Sequence, residues 1–279
     1  MALFEDTKIP IDDAAEAVFA WAKSNGRVFF DALSDGLGGL IDTILWALEA
    51  VPPLVIILIV VALAWLVHRN WKVPALAGVG MLFILNQGYW TETMESLTLV
   101  LSACVVCMGL GVPIGILGAR KPRFYAALRP ILDLMQTLPP FVYLIPAIVF
   151  FGIGMVPGLI ATVIFVLPAP IRLTQIGVAS APKPLIEAAE AFGSTSWQRL
   201  VKVELPWAAP QIMAGLNQTI MLSLSMVVIA ALVGADGLGV PVVRALNRVD
   251  TGLGFESGIV IVVVAIVLDR LLRVERRGS

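Results

Sequence analysis

Two cysteines, Cys104 and Cys107, stand three apart in "CVVC", and the chain has a single histidine, His68. On a helix the two thiols would share a face, which is the spacing of redox and metal sites. Their segment is apolar throughout, and nothing in it would stabilise a thiolate. The spacing therefore predicts small packing residues. His68 flanks an apolar segment with no ligand partner nearby and reads as an interface residue. No metal ligand set is expected. G-x-x-x-x-G-K-[ST] is absent, so the chain does not cradle nucleotide phosphates by that route. Also absent are a Ser with a His, a paired-Asp arrangement and H-E-x-x-H in an apolar segment, which excludes an intramembrane protease. Asp133 lies four residues from Arg129, and Asp269 four from Arg273, spacings that predict interfacial ion pairs. Chemistry of bond-making is not what this sequence is built for.

The elements that surround these residues are lipid-facing. Of 279 residues 59% are hydrophobic and only 14% charged, with a mean hydropathy of +0.93. A soluble domain carries about 25% charged residues. The composition therefore predicts an all-α, polytopic membrane protein. A net charge of -1 gives no footing for nucleic acid. The start, "MALFEDTKIPIDDAAEA", is acidic and lacks the basic and apolar regions of a cleavable signal.

About seven spans are expected: Pro52–Val67, Val73–Tyr89, Ser96–Ala119, Pro130–Phe151, Val156–Gly177, Ala208–Gly234 and Ser257–Leu272. Pro113, Pro139, Pro140, Pro146, Pro168 and Pro170 interrupt several of them, which predicts a packed bundle whose freed backbone groups find partners. "GLGVPIGILG" allows close helix approach. Arg69, Lys72, Arg120, Lys121, Arg123, Arg129, Lys183, Arg199, Lys202, Arg270, Arg273, Arg276 and Arg277 all fall on one side of a seven-span chain. The positive-inside rule makes that side cytoplasmic, with the N-terminus out and the C-terminus in. Arg244 and Arg248 are exceptions, offset by Asp236, Asp250 and Glu256. Residues 1–50 form an outer segment of amphipathic helices and residues 51–279 the transmembrane domain. Leu37, Leu40, Ile41, Ile44, Leu45 and Leu48 recur at helical spacing, and Ala14–Leu33 is expected as a second helix; together they brace the bundle.

The loop 180–207 is too structured to be a mere connection. In "EAAEAFGSTSWQRLVKVELP", Pro184 suits a first helical turn and Glu187 the positive end of the dipole. Gly193 can end that helix in the left-handed conformation. Ser194 or Ser196 can cap a second helix with Trp197, Leu200 and Val201 on one face, which Pro206 then stops.

Glu187-Ala188-Ala189, three residues, Gly193, nine residues, Val203, one residue and Leu205-Pro206 resembles the EAA signature of binding-protein-dependent ABC importer permeases, which usually have Ile at the place of Val203. The resemblance implies the type I ABC importer permease fold and a coupling helix seated in a groove of the ATP-binding subunit. Glu187, Ala188, Ala189, Phe192, Gly193, Leu205 and Pro206 carry that expectation. "LDLMQTLPPFVYLIPAIVFFGIG", "PAPIRLTQIGV", "AGLNQTIMLSLSMVVIAALVGADGLG" and "IVLDRLL" resemble the glycine betaine/proline betaine permeases of the ProU/OpuA osmoprotectant type over roughly residues 92–272. This implies a non-catalytic permease in the bacterial inner membrane that works as a homodimer. It also implies two ATPase subunits, which hold ATP and Mg, and an external substrate-binding protein. The chain ends soon after the last span, so that binding protein is expected to be separate. No cofactor is expected in this chain.

A betaine carries a quaternary ammonium that donates no hydrogen bond, so aromatic faces suit it, at about 0.5–2 kcal/mol per ring. Phe141 and Tyr143 beside the doubled prolines are path candidates, with Gln136, Asn217 and Ser225 on possible inward faces. Choline, proline and sulfonium analogues are alternative cargoes. An ion-coupled secondary carrier is the rival mechanism, disfavoured because the charges noted above sit at span ends.

Overall fold

The computed structural model describes residues 11–272, which are helical with short turns and contain no strand. Arg273, Arg276 and Arg277, and with them the expected Asp269–Arg273 pair, lie outside the described residues. The helices are α1 (Ile11–Glu49), α2 (Pro53–His68), α3 (Lys72–Asn86), α4 (Trp90–Arg120), α5 (Pro122–Thr137), α6 (Pro140–Phe151), α7 (Met155–Val166) and α8 (Pro168–Ala179). They continue with α9 (Lys183–Ala191), α10 (Ser196–Arg199), a π turn (Leu200–Glu204), α11 (Leu205–Ala231), α12 (Gly239–Arg248) and α13 (Thr251–Leu272).

Four stretches are long and apolar enough to cross a bilayer: Trp90–Arg120, Met155–Ala179, Ser196–Ala231 and Thr251–Leu272. Two bent pairs, α1 with α2 and α5 with α6, raise the number to six, each turning through 96°. α3, with 15 residues, is roughly 22 Å long and falls short of a ~30 Å core. All seven expected segments are thus helical, but Pro130–Phe151 is not one continuous span. Leu138 is extended (ψ 135°) because the following Pro139 disfavours its helical conformation, and the chain restarts as α6 at Pro140.

The N-terminal segment is one 39-residue helix rather than two. Nothing between Leu33 and Asp35 breaks the helix, and Gly36, Gly38 and Gly39 are accommodated within it. Its expected stripe holds: Ile41 is buried, Leu37, Leu40, Ile44, Leu45 and Leu48 are half-buried, and Asp42 and Glu49 are exposed. α1 packs on α4, α6 and α7, with Phe30 stacked on Phe150 at 4.4 Å.

The core is built where α3, α4, α7, α11 and α13 converge, through Ile84, Leu99, Leu159, Leu224 and Val260. α8 lies tightest of all against α4 and α11. A Cβ on Gly115 would meet Thr174 Cβ at 2.6 Å and the Ile171 carbonyl at 2.7 Å, so only glycine allows that approach. A Cβ on Gly177 would meet Gln211 Cβ at 2.8 Å in α11.

Candidate coupling site and substrate path

α9 is short, rich in alanine and opened by Pro182, Lys183 and Pro184. Glu187 is its fifth residue, one turn beyond the place where the helix dipole acts most strongly. The helix ends at Gly193, whose φ is +74°. There the Gly193 N–H donates to Glu190 O at 2.9 Å and the Ser194 N–H to Ala189 O at 3.0 Å. That is a Schellman closure, and it reverses the chain sharply.

The next cap falls on Thr195, not on Ser194 or Ser196. The Gln198 N–H donates to Thr195 Oγ1 at 3.3 Å, and the Thr195 N–H donates to Gln198 Oε1 at 2.9 Å. Thr-x-x-Gln makes this reciprocal box, whereas Ser194 is committed to the preceding closure. Pro206 does not stop the second helix. The chain runs on from Ser196 to Ala231 through the π turn, in which the Leu205 N–H donates to Leu200 O. Pro206 then sits in the first turn of α11, where its missing N–H is absorbed by the change of helical register.

No residue of α9 is buried by the rest of the chain. Phe192 is 92% exposed and Trp197 69%, with Leu185, Glu187 and Ala188 also exposed. The result is a small apolar knob with alanines at its centre, anchored from behind by charge. Glu204 is 5% exposed. Its carboxylate accepts from Arg120 Nη2 at 3.1 Å and from Arg199 Nε at 3.0 Å. Arg120 Nη2 also donates to Ser196 O at 2.9 Å, and Arg199 Nη1 pairs with Glu190 of α9. One acid thus ties the end of α4 to the π turn and, through Arg199, to α9. Val203 and Leu205 are half-buried beside it, and Pro206 is exposed. Trp207 Nε1 donates to Ser180 Oγ at 3.3 Å, which fixes the start of α11 to the end of α8.

Charge spacing within one helix does not reveal this network, because its members come from four elements. The available signal was a carboxylate directly before Leu205-Pro206 with Arg199 five residues earlier.

The path candidates divide into two groups. Gln136, Phe141 and Tyr143 gather at the α5–α6 break. Gln136 is half-buried and Phe141 56% exposed. Tyr143 is buried, and its hydroxyl donates to Leu134 O (3.2 Å) and Met135 O (2.8 Å), closing the end of α5. Asn217 and Ser225 lie on α11: Asn217 Oδ1 is buried with no hydrogen-bond partner among the described residues, and exposed Ser225 donates back to Met221 O. Asp133 does not pair with Arg129; its carboxylate accepts from Arg172 Nη2 of α8 at 2.7 Å. α8 packs within reach of α5, so the tertiary partner displaces the local one. Arg172 is a charge inside the expected span Val156–Gly177, so not every charge sits at a span end. Cys104 and Cys107 are free and buried, as packing residues would be, and no group of three or more metal-ligating side chains occurs among the described residues.

Comparison with known proteins gives the same direction. The glycine betaine transport system permease protein OpuAB of Bacillus subtilis is 47% identical over 95% of this chain and 93% of its own length. The glycine betaine/carnitine transport permease protein GbuB of Listeria monocytogenes is 48% identical over 87% of each chain. The glycine betaine/proline betaine transport system permease protein ProW of Escherichia coli is 42% identical over 99% of this chain and 78% of its own. Among solved structures, an inward-facing MetNI methionine ABC transporter chain superposes with a TM-score of 0.57 at 22% identity, covering 64% of this chain and 92% of that one. The fold is therefore that of a type I ABC importer permease. Residues 111–275 match the family described as binding-protein-dependent transport system inner membrane component. This chain belongs to that family, as a membrane permease that works with an ATPase and a substrate-binding protein.

Proposed function

We propose that this protein imports a quaternary-ammonium osmoprotectant, glycine betaine or proline betaine, using ATP hydrolysed by a separate subunit that binds the nucleotide and Mg. Two copies of the chain form the pathway, each receiving one ATPase on its α9 knob, and an external binding protein delivers the cargo on the opposite side. The N-terminus is outside and the C-terminus inside. The chain itself catalyses no reaction and holds no cofactor. The observation that carries this reading is α9: a capped helix that buries none of its own residues, exposes Phe192, and is anchored by a buried acid. A surface so rigidly presented and so poorly covered is suited to a partner. The cargo is supported by relatives of 42–48% identity that are named for betaine transport.

The test is reconstitution of the chain with its ATPase and binding protein in liposomes. Betaine uptake should require ATP on the α9 side and loaded binding protein on the other. Uptake driven by an ion gradient without ATP would refute the reading in favour of a secondary carrier.

A further inference from the structure

The Asp133–Arg172 pair is a charge contact between two helices of the membrane region, α5 and α8. Arg172 lies seven residues before the end of α8 at Ala179 and seventeen after Met155, roughly 10 Å from one end of the span and about 25 Å from the other. Asp133 lies one turn before Thr137, the last residue of α5, and so close to the break at Leu138–Pro139. Yet the Asp133 side chain is 52% exposed and that of Arg172 32%. An arginine facing lipid at this depth extends toward the nearer interface. Here the guanidinium instead closes at 2.7 Å on a carboxylate of another helix. A half-exposed aspartate would be costly against lipid, so the open side of the pair faces water or another polar surface.

The neighbouring residues agree. On α5, Arg129, Asp133, Gln136 and Thr137 follow one another at helical spacing and lead to the break at Leu138–Pro139. Gln175, also half-buried, stands three residues from Arg172 on α8. A polar stripe thus runs along one face of amphipathic α5 up to the point where the span is broken.

We propose that Asp133 and Arg172 form a station in the translocation path at which the zwitterionic cargo replaces the ion pair. This rests on the betaine reading above. The carboxylate of Asp133 meets the quaternary ammonium, and the guanidinium of Arg172 takes the carboxylate of the cargo in a bidentate contact. When the cargo leaves, the two side chains close on each other again. Neither charge is left alone in a low-dielectric setting at any stage, which is what allows a weak site to load and empty. A cation without a carboxylate, or an acid without an ammonium, would leave one of the two residues unpaired, so the station also favours zwitterions.

The complete complex of permease, ATPase and binding protein in liposomes provides the test. Asp133→Asn/Arg172→Gln replaces the ion pair by a neutral hydrogen-bonding pair of similar size. Betaine uptake should fall at least tenfold, while ATP hydrolysis stimulated by the loaded binding protein stays within twofold of wild type. Uptake within twofold of wild type would mean the pair only braces α5 against α8, and would overturn the station. Should that variant not assemble, Gln136→Cys decides, since it leaves the pair intact and Cys104 and Cys107 are buried. A membrane-impermeant trimethylammonium thiosulfonate should modify it, and saturating betaine should slow the modification at least fivefold. A residue the reagent cannot reach, or one that betaine leaves unprotected, refutes the proposal. Wild-type complex that imports no betaine refutes the cargo itself, a result distinct from a neutral variant that transports normally.

Discussion

Glu204→Gln is the sharpest probe of how force would enter the bundle. The side chain of Glu204 is 7% exposed and serves two arginines, at 3.1 Å and 3.0 Å. Removing one partner of a buried ion pair costs about 3–5 kcal/mol, because the opposite charge is left behind. Arg120 and Arg199 keep 30% and 26% exposure, so water recovers part of that cost, and the glutamine oxygen still accepts one hydrogen bond. We therefore place the loss at roughly 1–3 kcal/mol. A coupling free energy of that size corresponds to about 5- to 150-fold in the balance between anchored and unanchored states. The global fold should survive, because the core among α3, α4, α7, α11 and α13 does not touch this residue.

The quantity to measure is betaine imported per ATP hydrolysed in liposomes. With α9 loosened from α4, hydrolysis should continue while that ratio falls at least fivefold. A ratio within twofold of wild type, in a complex that assembles normally, would show that α9 is coupled without the Glu204 hub. Simple destabilisation would lower both activities together and leave the ratio unchanged, so the ratio separates the two effects.

Gly193→Val places a β-branched residue at φ +74° with nothing within 4 Å; the strain, about 1–2 kcal/mol, should distort the Schellman closure and lower the uptake-to-hydrolysis ratio without aggregating the protein. Gly115→Ala inserts a methyl 2.6 Å from Thr174 Cβ and 2.7 Å from Ile171 O. Forcing α4 from α8 should cost about 1–3 kcal/mol, read as a lower melting temperature in detergent. Tyr143→Phe removes the hydroxyl that closes the end of α5. A loss of about 1 kcal/mol is expected, visible as faster proteolysis at the α5–α6 break.

The sequence made the class, the helical segments and the α9 loop legible because each is written in local terms: runs of apolar residues, a stripe at helical spacing, and glycine where the chain must turn left-handed. Its errors lie where the decision is tertiary. Asp133 has Arg129 one turn away, but α8 brings Arg172 closer. Pro206 reads as a stop because proline lacks an N–H, yet five residues of π helix shift the register and the helix continues into α11. Ser194 is a better cap former by type than by place, because the closure at Gly193 claims it first. The hub at Glu204 was hidden for the same reason, since its partners come from α4 and α10 and only packing brings them together.

Packing also determines which parts can move together. α4 and α8 are pressed to backbone contact at Gly115, and α8 and α11 at Gly177. α9 is tied to α4 through Arg199, Glu204 and Arg120, and α11 to α8 through Trp207 and Ser180. Close-packed contacts of this kind resist shear, so a push on α9 would be shared by α4, α8 and α11 rather than dissipated in the loop. The helical ladder is interrupted at the 96° break between α5 and α6, at Leu138 and Pro139. Arg172 lies on α8 and Asp133 on α5, so a displacement of α8 relative to α5 would open that ion pair. On the proposed reading, the energy input at α9 and the Asp133–Arg172 station would then be two ends of one lever, turning at Leu138–Pro139.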